Sequence, residues 1–420
     1  MISVAGEVWF NDPALRKIMA LLNADGGEAR IAGGAVRNTL MGLPVGDIDI
    51  ATTLVPSEVV ARAGAAGIKA VPTGIEHGTV TLVTAGVPFE VTTLRRDVAT
   101  DGRRADVAFG TDWRADAERR DLTINALYAA TDGRVIDLVN GLPDIETRTV
   151  RFIGDAAQRI AEDHLRILRF FRFFAHYGTG RPDADGLRAC ARAKETLGRL
   201  SAERVWAETR KLLSAADPGR ALLWMRQTGV LGEILPESER WGIDAIPALV
   251  DAERAFGWPV DPLARLAAIV PPDGERLKGL AARLRLSKAE AAVLDRWSAA
   301  PAIPEKIADT AFDRLLYRHG SDGIALRLRL ALATARAKPG DAAAMAFAAL
   351  CQRLLKRADG WRKPAFPLSG TDVLAAGVPA GAKVGETLAT LEAEWVASNF
   401  RLDRADLLAR LEAAGGTPEQ

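Results

Sequence analysis

The hydrophobic pattern of this 420-residue chain changes period once, and that change restricts the folds open to it. Over residues 30–32, 48–51, 79–83, 87–92 and 134–138, short β-branched or apolar runs alternate with Gly, Pro, Asp and Asn, which predicts strands of a mixed sheet. From Phe152 onward strand signals fade. Apolar residues then recur three and four apart, as in Leu165, Leu168 and Phe171 and later Leu326, Leu330 and Ala333, the spacing of amphipathic helices. Residues 34–41 suit a short helix between the first two strands, and Pro56 opens another that runs to about Ala65. Breaks fall at 178–182, 217–219, 271–274, 338–340 and 364–370. The expected class is α+β: a small mixed-sheet head over 1–140, then helical segments over 141–215, 216–330 and 331–420.

Charge excludes one mode of action. With 55 Lys and Arg against 54 Asp and Glu, the chain has no global field for a polyanion, so any nucleic-acid partner must be gripped by local patches. Two cysteines, Cys190 and Cys351, cannot form a disulfide framework and fit a reducing compartment. The first ten residues lack a basic n-region and apolar core, and no apolar run reaches membrane-spanning length. A cytoplasmic location with no membrane association is expected.

The most informative stretch is Ile31-Ala32-Gly33-Gly34-Ala35-Val36-Arg37-Asn38, followed by Asp47-Ile48-Asp49. Glycines at a strand-to-helix turn let backbone N–H groups approach a phosphate, and Arg37 in the first turns can reach a triphosphate. On a strand, Asp47 and Asp49 would project from one face, where they repel unless cations lie between them. Hard oxygen ligands suit Mg²⁺, and two ions could align an attacking hydroxyl against a nucleotide α-phosphate. Asp-x-Asp alone is common in loops; the conjunction of glycines, arginine and carboxylates carries the reading. Glu90, in a run with strand character, is either a third acid for the metals or an edge-strand glutamate facing water.

Residues 162–172 read as one amphipathic helix, placing Asp163 and Arg166 as neighbours on a helical face. By pattern alone, a surface ion pair is the plainer reading. The functional reading is sharper: a carboxylate accepts from an exocyclic amino group while a guanidinium donates to ring nitrogen or carbonyl. Such a pair would select cytosine and adenine and reject uracil and guanine, because mismatched polar groups would be left unpaired. Arg119 and Arg120, ahead of an apolar run expected to be helical, suit either phosphate binding or a salt bridge with Asp121.

Together these segments resemble the class II tRNA nucleotidyltransferases, the CCA-adding enzymes and their poly(A) polymerase relatives within the DNA polymerase β superfamily. The resemblance rests on residues 33–37, Asp47 and Asp49, residues 73–80, Arg119 to Ala126, Asp137 with Gly141, Glu162 to Arg166, and Ser201 to Arg204. It implies an elongated body of head (1–140), neck (141–215), body (216–330) and tRNA-binding tail (331–420). It implies catalysis by Asp47, Asp49 and Glu90, with Asp47 and Asp49 ligating two Mg²⁺ ions. Nucleotide contacts fall on Gly33, Gly34, Arg37, Arg120, Asp163, Arg166, Arg169 and Arg172, and residues 201–204 brace the base-reading helix. The implied substrates are CTP and ATP and the partner is a tRNA 3′ end, with no obligate protein partner. Where the family usually carries Asp after the motif arginine, this chain has Asn38, and little loss is expected. No histidine is followed by Asp, so the phosphohydrolase activity of some bacterial members is not expected.

The polar stretch 95–106 reads as a loop of the kind that in this family accompanies the switch from CTP to ATP, which favours complete CCA synthesis. Poly(A) polymerase, partial CC or A addition, and a catalytically silent RNA-binding protein are the alternatives. Within the neck, residues 151–215 carry thirteen Lys and Arg against eight Asp and Glu, an excess suited to phosphates, as are the basic stretches 276–288 and 353–363. Trp361 and Trp395 are expected to pack between helices rather than stack on RNA.

Overall fold

The computed structural model describes residues 2–101, 104–238 and 242–415, and its contacts divide the chain into two compact units, 1–236 and 237–420. The first unit contains β1 (Ala29–Ala32), β2 (Asp49–Thr52), β3 (Lys69–Gly74), β4 (Thr79–Thr84), β5 (Val87–Thr93), β6 (Arg95–Asp101), β7 (Arg104–Phe109), β8 (Leu127–Ala129) and β9 (Val135–Asp137). Seven of these form one sheet in the order β3-β4-β5-β2-β1-β8-β9, with β6 and β7 a separate antiparallel ribbon. Within the seven, only β2 and β5 run parallel.

Alternation along the strands decides what the sheet presents. In β5, Phe89, Val91 and Thr93 are buried, so Glu90 points to the opposite face. Helices α1 (Pro13–Leu22), α2 (Gly34–Leu40) and α3 (Pro56–Ala65) begin the chain's helical set, and both α1 and α3 carry Pro in their first turn. Next come α4 (Trp113–Glu118) and α5 (Leu142–Glu146). Trp113 and Ala117 of α4 pack with Ala32, Ala51 and Tyr128 of the sheet and with Leu94 just after β5.

The helical remainder of this unit comprises α6 (Ala156–Glu162), α7 (Arg166–Tyr177), α8 (Ala184–Ala193), α9 (Ala202–Leu213), α10 (Gly219–Thr228) and α11 (Val230–Ile234). In α7 the apolar face Ile167, Phe170, Phe171 and Phe174 is buried, which leaves Arg166, Arg169 and Arg172 along the other side. Phe170 stacks on Phe152, 5.2 Å between centroids, which fixes α7 against the chain leaving the head.

The second unit is helical throughout its described residues, with α12 (Ala245–Phe256), α13 (Pro262–Ile269), α14 (Gly274–Leu284), α15 (Lys288–Ala299), α16 (Asp309–His319), α17 (Ser321–Arg336), α18 (Ala342–Gly360), α19 (Gly370–Ala375), α20 (Ala382–Ala397) and α21 (Arg404–Gly415). Trp395 is buried with Val373, Leu391 and Leu407, and half-buried Trp361 packs beside them; both sit between helices as expected.

Three local expectations are corrected. Residues 95–106 are not a loop: Arg95–Asp101 and Arg104–Phe109 pair as a ribbon with a register shift between Asp97 and Ala99, and residues 102 and 103 lie outside the described set. The apolar run after Asp121 is not a helix but a 3-10 turn, Thr123–Asn125, leading into β8, because backbone pairing with β1 and β9 outweighs its helical pattern. Residues 162–172 are two helices, not one. Asp163 adopts an extended conformation between α6 and α7, its Oδ1 accepting the Leu165 N–H at 3.0 Å, which offers the backbone a turn in place of continued helix.

Candidate active site

Gly33 makes the first bend possible. It has φ +62°, and a Cβ there would lie 3.1 Å from the Asn125 carbonyl oxygen and 3.5 Å from Arg120 Nη1. Its own N–H is committed to Leu127 O at 2.8 Å, so Gly33 supplies shape rather than a free donor. Gly34 then begins α2, which carries Arg37 inward.

Arg37 is buried and held by neutral groups. Its guanidinium donates to Asn38 Oδ1 from Nε (3.1 Å) and Nη2 (2.9 Å), to Tyr177 Oη at 2.8 Å, and to Asn125 Oδ1. The ring of Tyr177 lies 4.0 Å from its centre. Burial pulls its pKa below the ordinary arginine value.

The carboxylates stand on the sheet edge beside it. Asp49 is the first residue of β2 and Asp47 precedes the strand by two. In the parallel ladder Asp49 is the Cα partner of Glu90, so their side chains share a face. Burial and the neighbouring Asp47 raise the Asp49 carboxyl, against the opposing pull of Arg120 and Arg37. Burial raises Glu90 as well, followed by repulsion from Asp49 and Asp47. Asp47 and Asp49 line a cleft of about 780 Å³; Glu90 is not among its lining residues. Among the described residues, no group of three or more His, Cys, Asp or Glu side chains is placed to hold a metal ion on its own.

The cleft gathers almost all the other sequence candidates: Gly33, Gly34, Arg37, Arg120, Asp163, Arg166, Arg169 and Arg172. Its walls bear eight Arg and Lys side chains against four Asp, a surplus that suits a polyanionic ligand rather than a neutral one.

Ion pairing differs from the sequence expectation at three points. Arg119 and Arg120 do not use Asp121. Both bond the almost fully buried Asp116, Arg119 at 2.5 Å and Arg120 at 3.1 Å, and Tyr128 Oη donates to the same carboxylate at 2.7 Å. Asp121 instead accepts from Arg169 Nε at 2.6 Å. Asp163 and Arg166 are not each other's partners: Asp163 Oδ2 takes Arg204 Nη2 at 2.8 Å, while Arg166 bonds Glu162 and the Arg119 carbonyl at 3.2 Å. The surface ion pair is replaced because the break at Asp163 takes the two residues off a common helical face. Arg172 meets Glu208 of α9 at 2.7 Å.

Sequence reasoning missed Asp116, Asn125, Tyr128 and Tyr177, whose roles depend on contacts distant along the chain. Arg204 was assigned a bracing role, and it does hold Asp163. Ser201 precedes α9 as a cap residue with Glu203 in the first turn, but its side chain makes no capping bond.

Two family models match the chain: the poly A polymerase head domain over residues 29–151, and the probable RNA and SrmB-binding site of polymerase A over 182–241. The mitochondrial CCA tRNA nucleotidyltransferase 1 of Mus musculus is 34% identical over 409 residues, spanning 95% of this chain and 89% of that protein. A CCA-adding enzyme of Limosilactobacillus fermentum is 31% identical over 406 residues, spanning 96% of each. The crystal structure of the Bacillus stearothermophilus CCA-adding enzyme in complex with CTP superposes with TM-score 0.75 at 26% identity, covering 96% of this chain and 97% of that one. The Thermotoga maritima CCA-adding enzyme complexed with tRNA shares the fold, with TM-score 0.62 at 20% identity over 95% of this chain and 94% of that one.

Proposed function

The chain belongs to the CCA tRNA nucleotidyltransferases, and from that premise we propose how its own residues add C, C and A to a tRNA 3′ end. It is a nucleotidyltransferase, with CTP and ATP as substrates and no nucleic-acid template. The observation that carries the reading is the single cleft that joins Asp47 and Asp49 to Arg37, Arg120, Asp163 and Arg166.

Arg37 and Arg120 bind the triphosphate. Arg120 is pre-oriented by Asp116, so little side-chain freedom is lost on binding. Asp163 and Arg166 read the base: with Asp163 steered by Arg204 and Arg166 by Glu162, each keeps a fixed direction toward the cleft. Arg169 and Arg172 continue the same side of α7 and contact the nucleotide or nearby phosphates.

Asp47 and Asp49, with Glu90 in register beside Asp49, would hold Mg²⁺. The donor set fits: hard oxygen ligands whose mutual repulsion a divalent cation relieves, with water and phosphate oxygens completing each shell. When bound, two such ions would favour ionisation of the tRNA 3′-hydroxyl and neutralise the departing pyrophosphate.

The β6–β7 ribbon supports complete CCA addition. Its base is tied to the site, since Arg119 donates to Arg95 O at 2.9 Å and Arg95 donates to His77 O at 2.6 Å. We retain the fourfold division into head (1–140), neck (141–215), body (216–330) and tRNA-binding tail (331–420). We place the protein in the cytoplasm on its two free, buried thiols; no described helix is long and apolar enough to cross a membrane. Incubation with tRNA lacking its terminal CCA, supplied with single labelled nucleotides, tests the function. Two additions from CTP followed by one from ATP are expected. Arrest after two cytidines, or long tails from ATP alone, would overturn it.

A further inference from the structure

Of the eight cations that line the cleft, seven are arginines and one is a lysine, Lys211 of α9. The arginines are already engaged. Arg119 and Arg120 share Asp116, while Arg166, Arg169, Arg172 and Arg204 each meet a carboxylate. Arg37 donates to Asn38, Asn125 and Tyr177, and the charge of Asp121 acts on it as well.

Lys211 differs. Its Nζ is 3.9 Å from Glu208 Oε1, too long for a hydrogen bond, and its side chain is 59% exposed. Glu208 meets Arg172 at 2.7 Å through its other oxygen. Among the described residues no acceptor hydrogen-bonds the Lys211 ammonium, so an anionic ligand competes there with solvent rather than with a bonded protein partner.

Contacts at its two flanks fix which end of the cleft it serves. On α9 the base-reading end is marked by Arg204, which holds Asp163. Lys211 follows two helical turns later, about 10 Å further along the axis. The Lys211 carbonyl accepts from His176 Nε2 at 2.8 Å, and the next residue of α7, Tyr177, accepts from Arg37 Nη2 at 2.8 Å. Lys211 therefore stands at the Arg37 end, away from the base readers. A compact ammonium on a flexible stem suits a phosphate group that leaves during the reaction, whereas a tethered guanidinium suits one that stays.

Resting on the CCA-adding reading, we propose that Lys211 is a further substrate-binding residue: its ammonium holds the terminal phosphates of CTP and ATP, the part that departs as pyrophosphate. The test compares the full-length parent, Lys211→Met and Lys211→Arg by calorimetric binding of CTP and of CMP, with tRNA binding and thermal unfolding measured alongside. For K211M, CTP affinity is expected to fall about tenfold, the contribution of one charged hydrogen bond, while CMP affinity stays within about twofold of the parent. The salt dependence of CTP binding should weaken, because one cation is gone. K211R should recover most of the loss, and the exposed position should leave the unfolding midpoints of both variants near the parent's.

Unchanged CTP affinity in K211M overturns the proposal. An equal fall for CTP and CMP overturns it too, since the ammonium would then serve the base, sugar or α-phosphate. Weakened tRNA binding with intact CTP binding would assign Lys211 to RNA instead. A K211R loss as large as that of K211M refutes the charge role. A parent that binds CTP yet adds nothing to tRNA would refute the functional reading itself, a result distinct from any difference among the variants.

Discussion

Asp163 and Arg204 meet at 2.8 Å across 41 residues of chain, and this contact holds a carboxylate at the wall of the cleft from a point where two helices break. Arg204 stands on α9 and Asp163 between α6 and α7, so the acid's direction depends on helix packing as well as on its own rotamer.

Selectivity should therefore fail when the brace fails. Arg204→Ala is expected to raise UTP and GTP incorporation relative to CTP and ATP by roughly tenfold, as is Asp163→Ala, since each removes about one charged hydrogen bond's worth of discrimination. Because both act through one contact, the double variant should be no worse than the poorer single one. Single-nucleotide incorporation assays on truncated tRNA measure this. Unchanged nucleotide preference in Arg204→Ala would show that Asp163 is positioned without it.

Asp116 holds two arginines of the cleft wall, Arg119 and Arg120. Burial alone would raise its carboxyl, yet Arg120 and Arg119 beside it, with the Tyr128 hydroxyl, bring it below the ordinary carboxylate value. A depressed carboxyl stabilises the fold above its unfolded pKa and loses that contribution as pH falls through the folded value. Asp116→Ala takes the shared carboxylate from two half-buried guanidinium groups and should cost about 3 kcal/mol in urea unfolding. Tyr128→Phe, which removes one donor, should cost about 1 kcal/mol. The Asp116 variant should also lose the part of the parent's acid sensitivity that this group supplies, which pH-resolved unfolding detects.

Gly33 accepts no side chain. Its φ of +62° is strained for alanine, and the added methyl would press on the Asn125 carbonyl, 3.1 Å away, and approach Arg120. Gly33→Ala is expected to destabilise the protein by about 1–3 kcal/mol and to weaken CTP binding, because Asn125, against which it presses, and Arg120 beside it both line the cleft. Gly34→Ala has room, with Arg37 Nη2 at 3.8 Å as its nearest neighbour, and should unfold near the parent's midpoint.

The repulsion among Asp47, Asp49 and Glu90 gives a prediction for metal binding. Mg²⁺ should raise the thermal midpoint of the parent in a concentration-dependent way and should do so far less for Asp49→Asn. Without Mg²⁺ the variant should be at least as stable as the parent, because a like-charge neighbour has been removed. An equal Mg²⁺ response in both proteins would place the cation elsewhere.

What could be read from the residues follows the range of the contacts involved. Helix α3 begins at Pro56 and ends at Ala65 as its sequence indicates, because its N-terminal proline and apolar spacing are local. The gathering of Gly33, Arg37, Asp47 and Asp49 was legible for the same reason: strand, turn, helix and strand lie within twenty-four residues. β8 was not, since a three-residue strand is made by its neighbours β1 and β9 and carries little signal of its own. The partners of Asp163, Arg169 and Arg120 were misassigned or unseen, because spacing rules pair residues along one helix. These side chains reach across elements, Arg169 to Asp121 over 48 residues. The polar residues 95–106 suggested a loop, but cross-strand backbone pairing of 95–101 with 104–109 makes a ribbon.

The role of the sheet-edge carboxylates is tested most directly by Asp49→Asn, assayed for CTP binding and for CMP transfer to truncated tRNA in the same preparation. Binding within severalfold of the parent with transfer reduced by more than about a hundredfold is the expected result. Transfer at the parental rate by a variant that still binds CTP would contradict it.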